Sequence, residues 1–416
     1  MLNFQQITMP YLAARVPPHW QVLHVDEEAD EIDWNTHPDV VGITFHTPSA
    51  YHAYEFAGRF RAAGSCVVLG GPHVTLCPDE AGQHADAIFI GEAEGLWEQF
   101  LQGWEAGSIR PVYQLAEPPA LDDIPMSRKE LFHRRDHTNG VLFATCGCPN
   151  ICDFCTVSVM YHHSLRRRPV AQVAAEYASF KGRIIIFWDD NLAADLDYAK
   201  ELFHAITPYR KWWSSQASLH AGRDEAFLAA AARSGCKQLF LGLESISQAS
   251  MTEVKKGFNR VDDYARIIAR IHAHGIAVQA GIVFGFDHDT PAIFKETLDF
   301  LEGAGVQNAT FNILTPFPGT PLFHRLESEG RILTRDWRKY NSRADVVYQP
   351  AQMSPEELLA GYRYANARFY SPASIARRLS RSPVQLWWTL PLNLAYGYQW
   401  ERMAQLAQSK AGLPRS

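Results

Sequence analysis

The sequence predicts an α/β protein with an amino-terminal doubly wound, Rossmann-like domain, a second β/α region and a helical carboxyl-terminal extension. Two observations support this prediction. In the first hundred residues, short β-rich runs alternate with helical patterns, which is typical of βαβ units. After Gly140, six nearly continuous apolar runs are separated by helix-length stretches. Such runs imply a parallel sheet, which could form a partial barrel or an open doubly wound sheet.

Four strands are predicted in the first domain. They cover residues 20–25, 40–45, 66–69 and 87–90, with a helix around 53–62. Gly70 and Gly71 directly follow the third run, and Gly91 and Glu92 follow the fourth. Ligands of doubly wound sheets bind at such strand ends, although a tight turn alone would also explain the glycine pair.

The predicted domains are residues 1–105, a linker over 106–135, residues 136–320 and residues 321–416. The linker is assigned where periodicity is lost and prolines accumulate. The strands of the second region cover residues 141–145, 183–188, 213–219, 238–243, 276–284 and 309–314. Beyond residue 321 the pattern is helical or irregular, and Ser354-Pro355-Glu356-Glu357 is typical of a helix start.

Composition and charge exclude several functional classes. The 39 basic and 45 acidic residues give a net charge of −6 without a long basic run, so nucleic acid is not expected as a partner. No secretory signal and no long apolar span are visible, which predicts a cytoplasmic location. For the aromatic segment 386–392, packing into the core is the favoured interpretation. Pro391 interrupts this segment and few basic residues flank it, so we expect no stable membrane binding or insertion.

Four of the seven cysteines lie between Cys146 and Cys155, and this distribution favours a metal or redox site over a disulfide framework. Cys148, Cys152 and Cys155 have CxxxCxxC spacing. A structural zinc site needs four ligands and would recruit Cys146. A 4Fe-4S cluster held by three cysteines would keep one iron open to a small ligand. The spacing by itself leaves both alternatives open.

Around these cysteines the sequence resembles the radical S-adenosylmethionine superfamily, in which a three-cysteine loop follows the first strand of a partial (β/α)6 barrel. More narrowly, it is similar to the cobalamin-binding members. The segments that support this resemblance are Leu69-Gly70-Gly71-Pro72-His73, Gly91-Glu92-Ala93-Glu94, Phe187-Trp188-Asp189-Asp190-Asn191, Gly242-Leu243-Glu244-Ser245, Gly281-Ile282-Val283-Phe284-Gly285, Leu314-Thr315-Pro316-Phe317-Pro318-Gly319-Thr320 and Glu329-Gly330-Arg331-Ile332.

The resemblance implies a role for each matching position. Cys148, Cys152 and Cys155 would ligate a 4Fe-4S cluster whose open iron is chelated by S-adenosylmethionine. Residues implied to lie near the methionine, ribose, carboxylate and adenine of that ligand are Phe154, Asp189, Asp190, Asn191, Gln216, Glu244, Ser245 and Gly281. A cobalamin would lie across Gly70, Gly71, Gly91 and Glu92.

Some of these positions can also be interpreted without the resemblance, from the residue type alone. Asp190 and Asn191 could simply cap a helix. Glu244 is harder to explain structurally, because a buried carboxylate needs a partner. Arg166, Arg167 and Arg168 could bind a ligand carboxylate or cobalamin amides, or could form a solvated helix entrance.

The chain also departs from the cobalamin-binding pattern. It lacks Asp-x-His-x-x-Gly, so no histidine is expected on cobalt, and His73 is not assigned as a ligand. The amino-terminal domain is short and is expected to be truncated. Cys146 stands where relatives usually have arginine, and we expect it to be dispensable for cluster assembly.

The implied activity is reductive cleavage of S-adenosylmethionine, followed by cobalamin-dependent methyl transfer to an unactivated carbon of a small-molecule substrate. An electron donor such as flavodoxin or ferredoxin would supply the reducing equivalent. A cobalamin-independent radical rearrangement or oxidation is one alternative. A zinc-stabilised binding module that uses all four clustered cysteines is the other.

Overall fold

The computed structural model describes residues 6–27, 30–131 and 139–410. These residues fall into two compact units, which are described separately. The first unit comprises residues 6–190 and 316–341, and the second comprises residues 191–315 and 342–410. Within the described residues, no helix is both long enough and apolar enough to cross a membrane.

The first unit contains a four-stranded parallel sheet in the order β1-β2-β3-β4. Its strands are β1 (Val40–Thr44), β2 (Cys66–Gly70), β3 (Ala87–Ile90) and β4 (Val112–Gln114). The helices of this part are α1 (Thr8–Ala13), α2 (Ala50–Ala62), α3 (Pro72–Leu76), α4 (Pro78–Ala81) and α5 (Trp97–Glu105). The strand interiors and the inner face of α5 pack into one apolar core, so the sheet is a folded layer in its own right.

Two predictions for this region are wrong. Residues 20–25 form no strand, because no neighbouring strand pairs with them, and Trp20 instead packs edge-on against Trp104 at 5.1 Å between ring centroids. The sheet also continues past residue 105. Strand β4 lies inside the range assigned to the linker and pairs with β3 through Tyr113, whose side chain is buried.

The rest of the first unit carries the cysteine segment. Strand β5 (Asn139–Leu142) pairs in parallel with β8 (Ile184–Phe187), and β6 (Thr145–Cys146) pairs antiparallel with β7 (Arg166–Arg167). The helices are α6 (Thr156–Met160), α7 (Val170–Ser179) and, later in the chain, α13 (Pro321–Ser328).

The predicted boundary at residue 135 does not separate compact units, because buried contacts join the two sides of it. The Tyr11 hydroxyl donates to Glu176 Oε2 at 2.9 Å, and Tyr11 packs edge-on against Phe143. Glu176 also forms a fully buried ion pair with Arg168 at 2.8 Å. Burying two charges is tolerable only when they are paired in this way. The hydrogen bond from Tyr11 to Glu176 joins α1 to α7 within one unit.

The second unit contains a four-stranded parallel sheet in the order β12-β11-β10-β9. Its strands are β9 (Trp212–Ala217), β10 (Cys236–Glu244), β11 (Ala277–Phe284) and β12 (Asn308–Ile313). Helices α8 (Leu196–Ile206), α9 (Glu225–Ser234), α10 (Gln248–Glu253), α11 (Tyr264–Ala273) and α12 (Ile293–Gly303) accompany these strands. All six strands predicted after Gly140 are therefore present, two in the first unit and four in the second.

Three helices end the described chain: α14 (Pro355–Phe369), α15 (Pro372–Ser380) and α16 (Leu386–Lys410). The helix start predicted at Ser354 is confirmed. The Ser354 hydroxyl accepts from the Glu357 backbone N–H, and the Glu357 carboxylate accepts from the Ser354 N–H, which is a complete capping box.

The expectation that segment 386–392 packs into the core is only partly met. Thr389 is buried, but Leu386, Trp387 and Leu390 are exposed. The reason is that α16 presents its polar side chains to the rest of the second unit.

Candidate active site

The cysteine loop connects β6 to α6 in the first unit. Cys152 is buried, whereas Cys148 and Cys155 are half-buried. The Cys155 N–H donates to the Cys152 carbonyl at 3.2 Å, and the Asn150 carbonyl accepts from the Ser158 hydroxyl at 2.9 Å. These bonds curl the loop onto the first turn of α6. All three predicted ligands therefore lie on one locally braced loop.

The start of the loop requires glycine. Gly147 has a φ of +85°, and a Cβ at this position would collide with the Ser164 carbonyl oxygen. Its N–H donates to Asp190 Oδ2 at 2.9 Å. The end of β8 thus holds the residue immediately before Cys148.

Within the described part of the chain, no three His, Cys, Asp or Glu side chains converge closely enough to hold a single metal ion. Ligands of a four-iron cluster bind different irons and lie farther apart than ligands that share one ion. The donor set, three thiols on one short loop, fits an iron-sulfur cluster.

Cys146 belongs to a separate polar group. Its thiol contacts Glu92 Oε1 at 3.5 Å, and the other oxygen of Glu92 lies 2.6 Å from Arg166 Nη2. Burial, with a further contribution from Glu92, raises the pKa of Cys146 well above its usual value. The contact with Glu92 gives Cys146 a partner outside the cysteine loop.

Two of the three consecutive arginines are engaged within the protein. Arg166 Nη1 also donates to the Pro119 carbonyl at 2.8 Å, and Arg168 is buried against Glu176. Only Arg167 is exposed. The interpretation of this run as a solvated helix entrance is therefore wrong for Arg166 and Arg168, because each of them has a carboxylate partner.

Asp189 is fully buried at the end of β8. One carboxylate oxygen accepts from the Thr145 N–H at 2.5 Å and from its hydroxyl at 2.6 Å, and the Ala144 N–H donates to the carboxylate at 3.2 Å. Burial raises the pKa of Asp189 to about 7, and these hydrogen bonds oppose the rise. Its visible contacts brace the segment before the cysteine loop.

The remaining strand-end residues lie in the second unit. The Asn191 side-chain oxygen accepts from the Ser218 N–H at 2.9 Å, and Gln216 is half-buried in β9. The buried Ser245 hydroxyl accepts from the Ser247 N–H at 3.1 Å. Gly281 lies opposite Gly242 in the register of β10 and β11, where Phe240 would obstruct a larger residue.

Glu244 has a partner that the sequence did not suggest. Lys256 Nζ lies 2.5 Å from Glu244 Oε1, and both side chains are 14% exposed. Glu244 also has a left-handed backbone, with φ of +64°, which is uncommon for a residue other than glycine. Lys256 therefore provides a structural partner for the Glu244 carboxylate, so the burial of Glu244 no longer by itself favours a functional role.

The amino-terminal sheet ends at a cavity of about 200 Å³. The cavity lies beside the ends of β1 and β2 and is lined by His46, Thr47, Pro48, Pro72, Leu76, Thr156, Phe317, Tyr340 and Asn341. Gly71 has φ of +96°, and a Cβ there would lie 2.5 Å from Thr44 Oγ1. Among the lining residues, Thr156 directly follows Cys155, so the cavity borders the cysteine loop.

The other strand-end residues near this sheet differ in their surroundings. Gly91 has φ of +79°, open space where a Cβ would be, and an N–H that donates to Thr75 Oγ1 at 3.0 Å. His73 is buried and contacts Thr47 Oγ1 at 3.2 Å.

Phe154 is half-buried, two residues after Cys152. The sequence interpretation missed His46, Tyr340 and Asn341, which also line the cavity. No local pattern distinguishes them.

Comparison with known proteins decides the family. Residues 142–301 match the radical SAM superfamily, and residues 320–409 match a domain of unknown function, DUF4070. The chain belongs to the radical SAM superfamily. The first match begins at the end of β5 and includes the whole cysteine loop, so this radical SAM enzyme uses a 4Fe-4S cluster and S-adenosylmethionine.

The enzyme is similar over most of its length to curated relatives. It is 29% identical to bacteriochlorophyllide d C-12(1)-methyltransferase of Chlorobaculum tepidum, across 93% of this chain and 88% of that protein. It is 25% identical to hopanoid C-2 methylase of Rhodopseudomonas palustris, across 87% and 71%.

Solved structures match the fold. The radical S-adenosylmethionine methyltransferase TsrM from Kitasatospora setae, with tryptophan and a SAM analogue bound, aligns with a TM-score of 0.63 at 17% identity, covering 82% of this chain and 80% of that one. The cobalamin-dependent S-adenosylmethionine radical enzyme OxsB aligns with a TM-score of 0.64 at 11% identity, covering 91% and 68%. The predicted fold class is confirmed, and the zinc-stabilised module is set aside.

Proposed function

We propose that this radical SAM enzyme is a cobalamin-dependent methyltransferase that acts on a carbon atom of a small-molecule substrate. The observation that carries the proposal is the combination, in the first unit, of a three-cysteine loop and a parallel sheet whose strand ends border a cavity next to that loop. Relatives named as methyltransferases or methylases support the reaction type. Solved structures of similar fold with cobalamin bound support the cofactor.

The residues proposed to hold the iron-sulfur cluster are Cys148, Cys152 and Cys155. When bound, the cluster supplies one electron for cleavage of the sulfonium carbon–sulfur bond, and cobalamin supplies a carrier for the methyl group. Cys146 is not proposed as a fourth ligand, because its thiol contacts Glu92 Oε1 at 3.5 Å. One iron would thereby stay open for S-adenosylmethionine.

The amino-terminal cavity fits part of a large cofactor. A volume of about 200 Å³ encloses a fragment of a corrinoid rather than the whole, so most of the group would lie outside the cavity. Gly71 brings the β2 end against Thr44, and Gly91 leaves open space beside β3. Of the residues predicted to contact cobalamin, Gly71 and Gly91 are the positions where an added side chain would change the shape of the site.

Asp189 and Asp190 are proposed to act by positioning the loop. Asp189 holds Ala144 and Thr145, and Asp190 holds Gly147, so together they position the backbone that leads into Cys148. The half-buried Phe154 is proposed to pack beside the adenine. In the second unit, Asn191, Gln216, Glu244, Ser245 and Gly281 are proposed to contact other parts of S-adenosylmethionine.

A second candidate function is a cobalamin-independent radical oxidation or rearrangement. One observation favours a reaction other than methyl transfer: the chain is also 24% identical to an anaerobic magnesium-protoporphyrin IX monomethyl ester cyclase of Cereibacter sphaeroides, across 80% of this chain and 60% of that protein. The name of that relative describes ring closure rather than methyl transfer.

The test is anaerobic reconstitution of the full chain with iron, sulfide and hydroxocobalamin. About four irons per chain are expected, together with cobalamin absorbance that survives desalting. Cys148→Ala, Cys152→Ala and Cys155→Ala should each abolish the brown chromophore and S-adenosylmethionine cleavage. Cys66→Ala, which changes a half-buried cysteine of the same unit outside the loop, is the matched control and should retain both.

A glycine pair tests the cobalamin site. Gly71→Ala should lower bound cobalamin without lowering iron, because its Cβ would press on Thr44. Gly107→Ala is the control, since Gly107 also has a positive φ, of +67°, but open space around it. If cobalamin washes off the unaltered protein while cleavage continues, the cobalamin-independent reaction replaces the proposal. Stoichiometric zinc without sulfide would contradict both candidate functions.

A further inference from the structure

Helix α16 packs with a polar face toward the second unit. Trp388 Nε1 donates to Gln238 Oε1 at 3.2 Å, and Asn393 Nδ2 donates to Asn308 Oδ1 at 2.7 Å. The Tyr396 hydroxyl accepts from the Gln279 side chain at 3.0 Å. These hydrogen bonds satisfy polar groups at strands β10, β11 and β12, so the inward face of α16 is fixed by its polarity.

The opposite face of α16 is apolar and exposed. Its large side chains are between 41% and 64% exposed: Leu386, Trp387, Leu390, Leu394 and Tyr398. At about 100° per residue these positions fall within an arc of roughly 120°. Amphipathic helices of globular proteins normally bury such a face. We call these five residues the outer stripe.

The segment that precedes the outer stripe is basic. Between Glu357 and Glu401 there is no acidic residue, and five arginines lie between residues 363 and 381. Arg378 is buried, and Arg368 and Arg377 contact Glu302 at 3.5 and 3.3 Å. Arg363 and Arg381 are exposed, so an apolar stripe that follows this segment is complementary to an apolar surface that carries negative charge.

We propose that the outer stripe docks reversibly on an anionic lipid bilayer. Tryptophan, tyrosine and leucine are the side chains that enter the interface between headgroups and acyl chains, and arginines attract anionic headgroups. The stripe is about 18 Å long, at 1.5 Å per residue, so α16 would lie along the surface and not across the bilayer. The expectation of no membrane binding rested on core packing, on Pro391 and on the few basic residues that flank the segment. The exposure of the stripe removes the first ground, and Pro391 lies inside α16 without ending the helix. The expectation of no stable insertion is unchanged.

The test is sedimentation of the reconstituted full chain with vesicles. Vesicles of mixed phosphatidylcholine and phosphatidylglycerol should pellet the protein at low salt, and raised salt should release part of it. Pure phosphatidylcholine vesicles should pellet much less. The double variant Leu390→Ser with Leu394→Ser should bind the mixed vesicles at least about tenfold more weakly, because it removes two apolar side chains from the contact.

Leu333→Ser is the matched control, since Leu333 is 53% exposed in the first unit, and it should pellet like the unaltered chain. All three proteins should melt at similar temperatures, because the altered side chains are exposed. A chain that stays in the supernatant with mixed vesicles overturns the proposal, and so does a double variant that pellets normally. Self-association that the double variant disrupts, without any lipid binding by the unaltered chain, would assign the stripe to a second copy instead.

Discussion

The ends of β8 and β10 carry carboxylates that the sequence treats alike, yet the structure places them in different surroundings. Asp189, at the end of β8, is fully buried and accepts hydrogen bonds from the backbone and side chain of Thr145 and from Ala144. Glu244, at the end of β10, is held by the single ammonium group of Lys256 and retains some exposure. Fixed backbone donors point to a bracing role, whereas one flexible partner can be exchanged for a ligand.

Asp189→Ala is expected to give the largest effect. It leaves the Thr145 and Ala144 donors buried without an acceptor, which should lower the free energy of unfolding by about 3 kcal/mol. Chemical denaturation of the iron-free protein measures it. Asp197→Ala is the control, because Asp197 is highly exposed and pairs only with Lys200. If the two variants have the same free energy of unfolding, Asp189 does not brace the structure and is available for ligand binding, as Glu244 is.

The pH dependence of stability should separate the two carboxylates further. The folded-state pKa of Asp189 is about 7, above its unfolded value near 3.9, so the folded protein binds this proton more tightly. Its contribution to stability is therefore greatest at low pH and is lost as pH rises toward about 7, by at most about 1.4 kcal/mol per pH unit.

Denaturation of the unaltered chain and Asp189→Asn between pH 5 and 8 checks this sign. As pH rises, the free energy of unfolding of the unaltered chain should fall relative to that of Asp189→Asn. The difference should become constant above about pH 8. A constant difference over the whole range would contradict the raised pKa.

Glu244→Gln is expected to weaken S-adenosylmethionine binding by about tenfold, which corresponds to about 1.4 kcal/mol, with little change in melting temperature. Isothermal titration of the reconstituted protein measures the affinity. Lys256→Met removes the partner but keeps the carboxylate, so it should bind S-adenosylmethionine more tightly than Glu244→Gln does. If Glu244→Gln lowers the melting temperature strongly and leaves affinity unchanged, Glu244 is a bracing residue like Asp189.

Cys146→Ser should have the smallest effect. A serine hydroxyl can keep the contact with Glu92, and the cluster needs only the three later cysteines. Iron and sulfide content should therefore match the unaltered protein. Loss of the cluster in this variant would mean that the ligand set is wrongly assigned.

Most strands were predictable because their local pattern is strong. The runs at 238–243 and 276–284 are apolar almost throughout, as expected for strands buried on both faces, and they became β10 and β11. The three-residue β4 was not predictable, because it follows Pro111 and its pairing depends on β3. Residues 20–25 show the converse, since a β-rich run without a neighbouring strand does not form a sheet.

The sequence by itself determined the order of strands and helices, the three-cysteine spacing and the superfamily, because these depend on residues close together in the chain. Only the tertiary structure decided which charges are paired. Lys256 reaches Glu244 across a helix and a loop, and Glu92 reaches Cys146 from a different strand. The orientation of α16 is likewise tertiary. Its polar residues face inward because buried side chains of β10, β11 and β12 need partners, and this leaves the apolar outer stripe exposed.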